Sequence, residues 1–107
     1  MESGIMFQDT MSKWNIVTQL SGITDTMRTN ILSTLRTSIE THGSSKAMEV
    51  CKNTKTWLDE TYGEYWCVIV GAAGESSSYC SYFDNMFLAV EESGLKWRIT
   101  VFKQAIA

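Results

Sequence analysis

The sequence predicts a single α+β domain: one N-terminal strand, two helices, then a four-stranded antiparallel meander (β-α-α-β-β-β-β). Two observations carry this. Residues 24–62 hold two consecutive stretches with apolar residues at helical spacing, and residues 65–102 hold strand-length apolar or alternating runs separated by short turns. Consecutive helices followed by consecutive strands point to helices packed on one antiparallel sheet.

Taken in order, residues 1–13 show no period and read as an arm or linker remnant. Trp14–Leu20 combines Ile, Val and Thr behind an aromatic residue and reads as the first strand. Thr24 before Asp25 suits a helix N-cap, and Met27, Ile31, Leu32, Leu35 and Ile39 form one apolar stripe ending near His42–Gly43. Ser44 or Ser45 is the expected cap of the second helix. Its apolar face runs through Ala47, Val50, Cys51, Thr54, Trp57, Leu58 and Tyr62, with Lys46, Lys52, Lys55, Asp59 and Glu60 facing water and Gly63 closing it.

Tyr65–Val70 is a continuous apolar run, as expected of a strand covered on both faces. Gly71–Ser77 reads as a loop, Ser78–Phe83 and Asn85–Val90 as two strands, and Glu91–Leu95 as a hairpin turn in which the glutamate pair aids solubility. Lys96–Phe102 is the last strand, with Trp97, Ile99 and Val101 alternating against Arg98, Thr100 and Phe102.

The 107 residues carry 9 Lys+Arg against 12 Asp+Glu, for a net charge of −3. No basic cluster forms, so the chain lacks the footprint of a nucleic-acid binder. The apolar fraction of 44% suits a packed core. No run approaches the ~20 apolar residues of a membrane span, and no signal peptide is visible, so no membrane insertion is expected. The chain has no proline, where about five would be usual for this length.

Chemistry finds little purchase. His42 is the only histidine and sits at a helix end, where a cation complements the dipole. The glycines of Gly71-Ala-Ala-Gly74 lack the Lys-Ser/Thr of a phosphate loop. The three cysteines, Cys51, Cys67 and Cys80, are neither paired in a CxxC motif nor even in number, as expected of a reducing setting; Cys51 and Cys67 read as buried thiols, and Cys80, on a possible edge strand, as the one to watch. No catalytic residue, metal site, cofactor or small-molecule substrate is therefore expected. The serine- and tyrosine-rich stretch Ser78–Phe83 instead suits a sheet edge that pairs with an added strand.

Residues 59–71, DETYGEYWCVIVG, resemble the hallmark stretch of the small (8-kDa-type) dynein light chain family, with Asp59, Tyr62, Trp66, Ile69, Val70 and Gly71 in register. SYCSYFDNMF is similar to the family's Ser-Tyr-Val-Thr strand and the strand after it, Val101-Phe102-Lys103 to its Leu-Phe-Lys ending, and GITDTM to the start of its first helix. The resemblance covers residues 14–103, leaving 1–13 as the arm and 104–107 as a tail.

The resemblance implies a strand-swapped homodimer in which the strand at 78–83 crosses to the partner's sheet. It implies grooves that take an extended peptide, from the dynein intermediate chain or another client, by strand addition. On this sequence the groove residues would be Ser78, Tyr79, Cys80, Ser81 and Tyr82, with Ser45 and Lys46 at the helix start. The interface would include Cys67, Tyr79, Tyr82 and Phe83. The setting implied is cytoplasmic and cytoskeleton-associated.

The sequence also departs from the family. The loop before the swapped strand, Ala72–Ser77, is longer and lacks the family's Asn and Phe. The interface histidine after the Trp is Cys67, and the histidine of the swapped strand is Tyr82. A related group, the fluke tegumental calcium-binding proteins, fuses EF-hands to such a domain; this chain has no EF-hand motif, so the resemblance implies either the light-chain portion of such a protein or a stand-alone divergent light chain.

Overall fold

The computed structural model of the chain describes residues 14–73 and 82–105. The elements are β1 (Trp14–Gln19), α1 (Asp25–His42), α2 (Ala47–Tyr62), β2 (Trp66–Ala72), β3 (Tyr82–Glu92) and β4 (Trp97–Gln104). This is the α+β architecture expected: one strand, two helices, then strands in one antiparallel sheet. The expected strand at 78–83 lies outside the described residues up to Ser81.

Local chemistry explains the helix ends. Thr24 caps α1, its hydroxyl accepting the Met27 N–H at 3.1 Å. Gly43 ends α1 with φ 87° and Gly63 ends α2 with φ 84°, conformations that favour glycine. The start of α2 differs from expectation. Its N-cap is Lys46, without a side-chain bond. Ser44 and Ser45 are spent in a tight turn closed by the Lys46 N–H on the Gly43 carbonyl at 3.2 Å, so the helix begins beyond them.

The four strands are arranged in space as β1-β3-β4-β2. β2 thus pairs with β4 rather than with β3, and among the described residues it lies at one edge with β1 at the other. The two strands expected at 78–83 and 85–90 overlap in the single strand β3. Its register against β4 slips between Tyr82 and Phe87. There Asp84 (φ 54°) and Asn85 (φ 57°) are both left-handed, a conformation that short polar side chains tolerate.

Gly22 lies under this kink. A β-carbon on it would sit 2.4 Å from the Asp84 carbonyl oxygen. Gln19 ties β1 to α1 by bonding the Ile23 carbonyl at 2.8 Å and accepting from Arg28 at 2.9 Å.

The core lies between the helices and one face of the sheet. Ile31, Leu32 and Leu35 from α1 and Val50 and Leu58 from α2 pack with Trp66, Leu88, Val90, Ile99 and Val101. Register explains the selection: Val101 pairs with Val68 and Leu88, and Ile99 with Val70 and Val90, so these side chains share a face.

The hairpin glutamates do more than aid solubility. Glu91 accepts from the Arg98 guanidinium at 2.8 Å. Glu92 is buried, and its Oε1 takes the Leu95 N–H at 2.6 Å within the turn.

Candidate peptide-binding edge and interface

The opposite face of the sheet is built from the alternate residues. Cys67 pairs with Phe102, which pairs with Phe87; Ile69 pairs with Thr100, which pairs with Ala89; Gly71 pairs with Arg98, which pairs with Glu91. The Phe87 and Phe102 rings stack 6.2 Å apart. Ile69 is 41% exposed, whereas Phe102, Thr100 and Ala89 are buried. The sheet therefore carries apolar side chains on both faces, while both helices contribute to the core on one.

β2 borders this face and forms an edge of the sheet. Its first residue is fixed from α2: Asp59 Oδ1 accepts the Trp66 N–H at 2.9 Å. The other Asp59 oxygen is held by Lys55 one helical turn earlier. Burial works against ionisation of this carboxyl, but the bonds from Lys55 and the Trp66 amide, with the charges of Lys55 and Lys103, outweigh it and hold the group below the usual carboxylate range.

The helical pattern places Asp59 on the solvated side of α2, whereas the structure turns it to the Trp66 amide. It turns back because α2 ends at Gly63 and the chain reverses into β2, bringing the Trp66 amide to the helix. An Asp seven residues before a strand's first Trp, across a Gly stop, is the signal that could have revealed it.

Cys51, one face of α2 further back, is half-buried, and its sulfur faces the Val70 backbone amide. Burial pushes its thiol pKa up, partly offset by that amide. Neither Cys51 nor Cys67 is in a disulfide. Tyr62 joins the α2 end to β2 through its neighbours, with its ring 5.6 Å from Trp57 and 6.2 Å from Trp66.

Of the groove residues expected, Ser45 and Lys46 lie exposed in the turn that opens α2. Ser78, Tyr79, Cys80 and Ser81 lie outside the described residues. Tyr82 opens β3 opposite Gln104, and Phe83 follows it. Cys67 lies on the face away from the helices, opposite Phe102. Cys67 is thus on the sheet face away from the helices, and Ser45 and Lys46 lie at the start of α2.

Among the described residues no group of three or more His, Cys, Asp or Glu side chains is placed to hold a metal ion. No helix among them is long and apolar enough to cross a membrane.

The sequence model of the dynein light chain type 1 family matches residues 15–104. No curated protein sequence matches significantly. Among solved structures, the fold is similar to the dynein light chain-like domain of the Fasciola hepatica calcium binding protein FhCaBP2. A mercury derivative of that domain gives a TM-score of 0.74 at 10% identity, covering 88% of this chain and 94% of that one. A native crystal form gives 0.68 at 10% identity, covering 86% and 91%.

Proposed function

This chain belongs to the dynein light chain type 1 family, and from that membership we propose that it is a non-catalytic homodimeric hub. It binds extended client peptides by β-strand addition and serves the dynein motor complex in the cytoplasm, at the microtubule cytoskeleton. The observation that carries this reading is the two-sided sheet. On the face away from the helices Ile69 is exposed and Cys67 and Phe87 are half-buried, and an apolar surface on a sheet calls for a second layer. Packing two copies face to face provides it.

The client peptide lies along the strand that includes Ser78, Tyr79, Cys80, Ser81 and Tyr82, with Ser45 and Lys46 at the groove's helical end. Backbone hydrogen bonds supply affinity and alternate side chains supply selectivity. Tyr79, Tyr82, Phe83 and Cys67 serve the subunit interface. Two grooves per dimer raise avidity for clients that are themselves paired.

Titration of a labelled dynein intermediate-chain peptide into the full chain, read by anisotropy, tests this. Saturable binding that Tyr79→Glu abolishes is expected. A peptide that never binds contradicts the hub reading.

A second reading is favoured by the likeness to the Fasciola domain: a light-chain-like regulatory module, part of a larger protein, that dimerises without a working groove. It predicts dimers that ignore the same peptide.

A further inference from the structure

Glu92 sits between two tryptophans on the helix side of the sheet. Its partners in register are Trp14 on β1 and Trp97 on β4. Residues directly opposite across a sheet point their side chains the same way. Val90, two residues earlier on β3, is fully buried in the core between sheet and helices, and alternate residues share a face. The row Trp14, Glu92, Trp97 therefore faces the helices, and both indoles pack against the core.

A cavity of about 310 Å³ lies at this row. Trp14 forms one wall, and the end of α1 forms another through Arg36, Ile39 and Glu40. The hairpin closes it with Glu92, Gly94 and Leu95. Glu92 is only 8% exposed. Its Oε1 accepts the Leu95 N–H at 2.6 Å, and among the described residues none donates a hydrogen bond to Oε2. An ionised carboxylate has about four acceptor positions, and a buried charged oxygen left without a donor is costly. The hairpin bond explains how the carboxylate is anchored but leaves its second oxygen without a partner. Gly94 keeps that side open, since a β-carbon there would lie 3.3 Å from both oxygens.

Charge and shape select the ligand. The lining holds two carboxylates, Glu40 and Glu92, against one guanidinium, Arg36. Ile39 and Glu40 belong to the last turn of α1, the negative end of the helix dipole. A Trp face attracts a cation beside it. The volume is at the low end of the ~300–1,000 Å³ of small-ligand sites, which suits a single side chain or a small molecule. With one carboxylate oxygen taken, a guanidinium fork has no matching pair of acceptors. An ammonium, a compact point charge on an alkyl stem, needs only one.

We propose that this cavity binds an alkylammonium group, with the charged head on Glu92 Oε2 beside Trp14 and the stem against Ile39 and Leu95. A lysine side chain of a partner and a free small amine share this chemistry. The site is on the opposite face of the sheet from Cys67, Ile69 and Phe87, so it stands apart from the dimer and from the peptide edge.

Titration of the full chain with n-butylammonium and with Nα-acetyl-lysine N-methylamide tests it, followed by NMR at the Trp14 and Trp97 indole N–H groups and the Leu95 amide. Saturable shifts at these groups are expected, while n-butanol, similar in shape but neutral, gives none. Glu92→Gln keeps an acceptor for the Leu95 N–H and removes the charge, so it should weaken binding at least about tenfold. Arg36→Gln takes a positive charge from the lining and should strengthen binding about threefold, an effect that a carboxylate serving the hairpin alone would not show.

Equal affinity for the two probes assigns the site to a free amine, and tighter binding of the lysine probe assigns it to a partner's side chain. Three results overturn the site: no saturable shift with either probe, n-butanol binding as tightly, or unchanged affinity in Glu92→Gln. Should that variant not fold, Arg36→Gln decides, and unchanged or weaker affinity there overturns the proposal.

Discussion

The Asp59 carboxylate accepts the Trp66 backbone N–H at 2.9 Å, joining the last turn of α2 to the first residue of β2. Trp66 is itself buried in the core at 1% exposure. A single charge-assisted bond thus fixes both where β2 begins and which side of it faces the helices.

Removing that bond should cost about 1–3 kcal/mol, the range for an amide donor left without its charged acceptor. Asp59→Ala should lower the urea midpoint accordingly, with Asp59→Asn in between. The same carboxyl confers a pH dependence. Its folded pKa is depressed, so its contribution is present above the unfolded value of about 3.9 and is lost as pH falls through the lower folded value. Chemical denaturation at stepped pH should show wild type losing its advantage over Asp59→Asn below about pH 4.

Gly22→Ala should destabilise the fold through a backbone collision. The new methyl would lie 2.4 Å from the Asp84 carbonyl oxygen and 2.8 Å from Asn85, in a segment already committed to two left-handed residues. A loss of about 1–3 kcal/mol is expected, read as a fall in melting temperature. A neutral substitution would mean that the kink relaxes.

Leu58→Ala should cost about 2–5 kcal/mol, because Leu58 is fully buried between α2 and the sheet. Equilibrium unfolding in urea measures it. The slope of the transition should stay unchanged, since the folded surface is preserved.

Much of this architecture could be read directly from residue patterns. The Thr24 cap, the Gly43 and Gly63 stops and the Ile99/Val101 core face all follow local rules, and local rules are visible in one dimension. What escaped was non-local. Asp59 falls on a helical wheel beside Lys55 and looks solvated until the chain reverses at Gly63. Glu92 looks like a hairpin charge until the turn presents the Leu95 amide to it.

The place of β2 at the sheet edge depends on β4 choosing it as a partner from far along the chain, which periodicity does not record. Likewise, Tyr82-Phe83 and Met86-Phe87 read as two strands because the left-handed pair at Asp84 and Asn85 bends one strand without ending it.

Association should be insensitive to pH between about 5.5 and 7.5, since histidine is the side chain that normally titrates there. The chain's only histidine, His42, lies at the end of α1, and Cys67 occupies the β2 position facing Phe102. Sedimentation velocity across that range should give one association constant. A tenfold weakening at the acid end would place another titrating group at the interface.

The central claim is that a second copy covers the apolar surface of Cys67, Ile69 and Phe87. Sedimentation equilibrium of the full chain over a wide concentration range tests it most directly. The account predicts a species of twice the 12.1 kDa chain mass, shifted towards monomer by Ile69→Lys. A mass of 12.1 kDa at every concentration would contradict it.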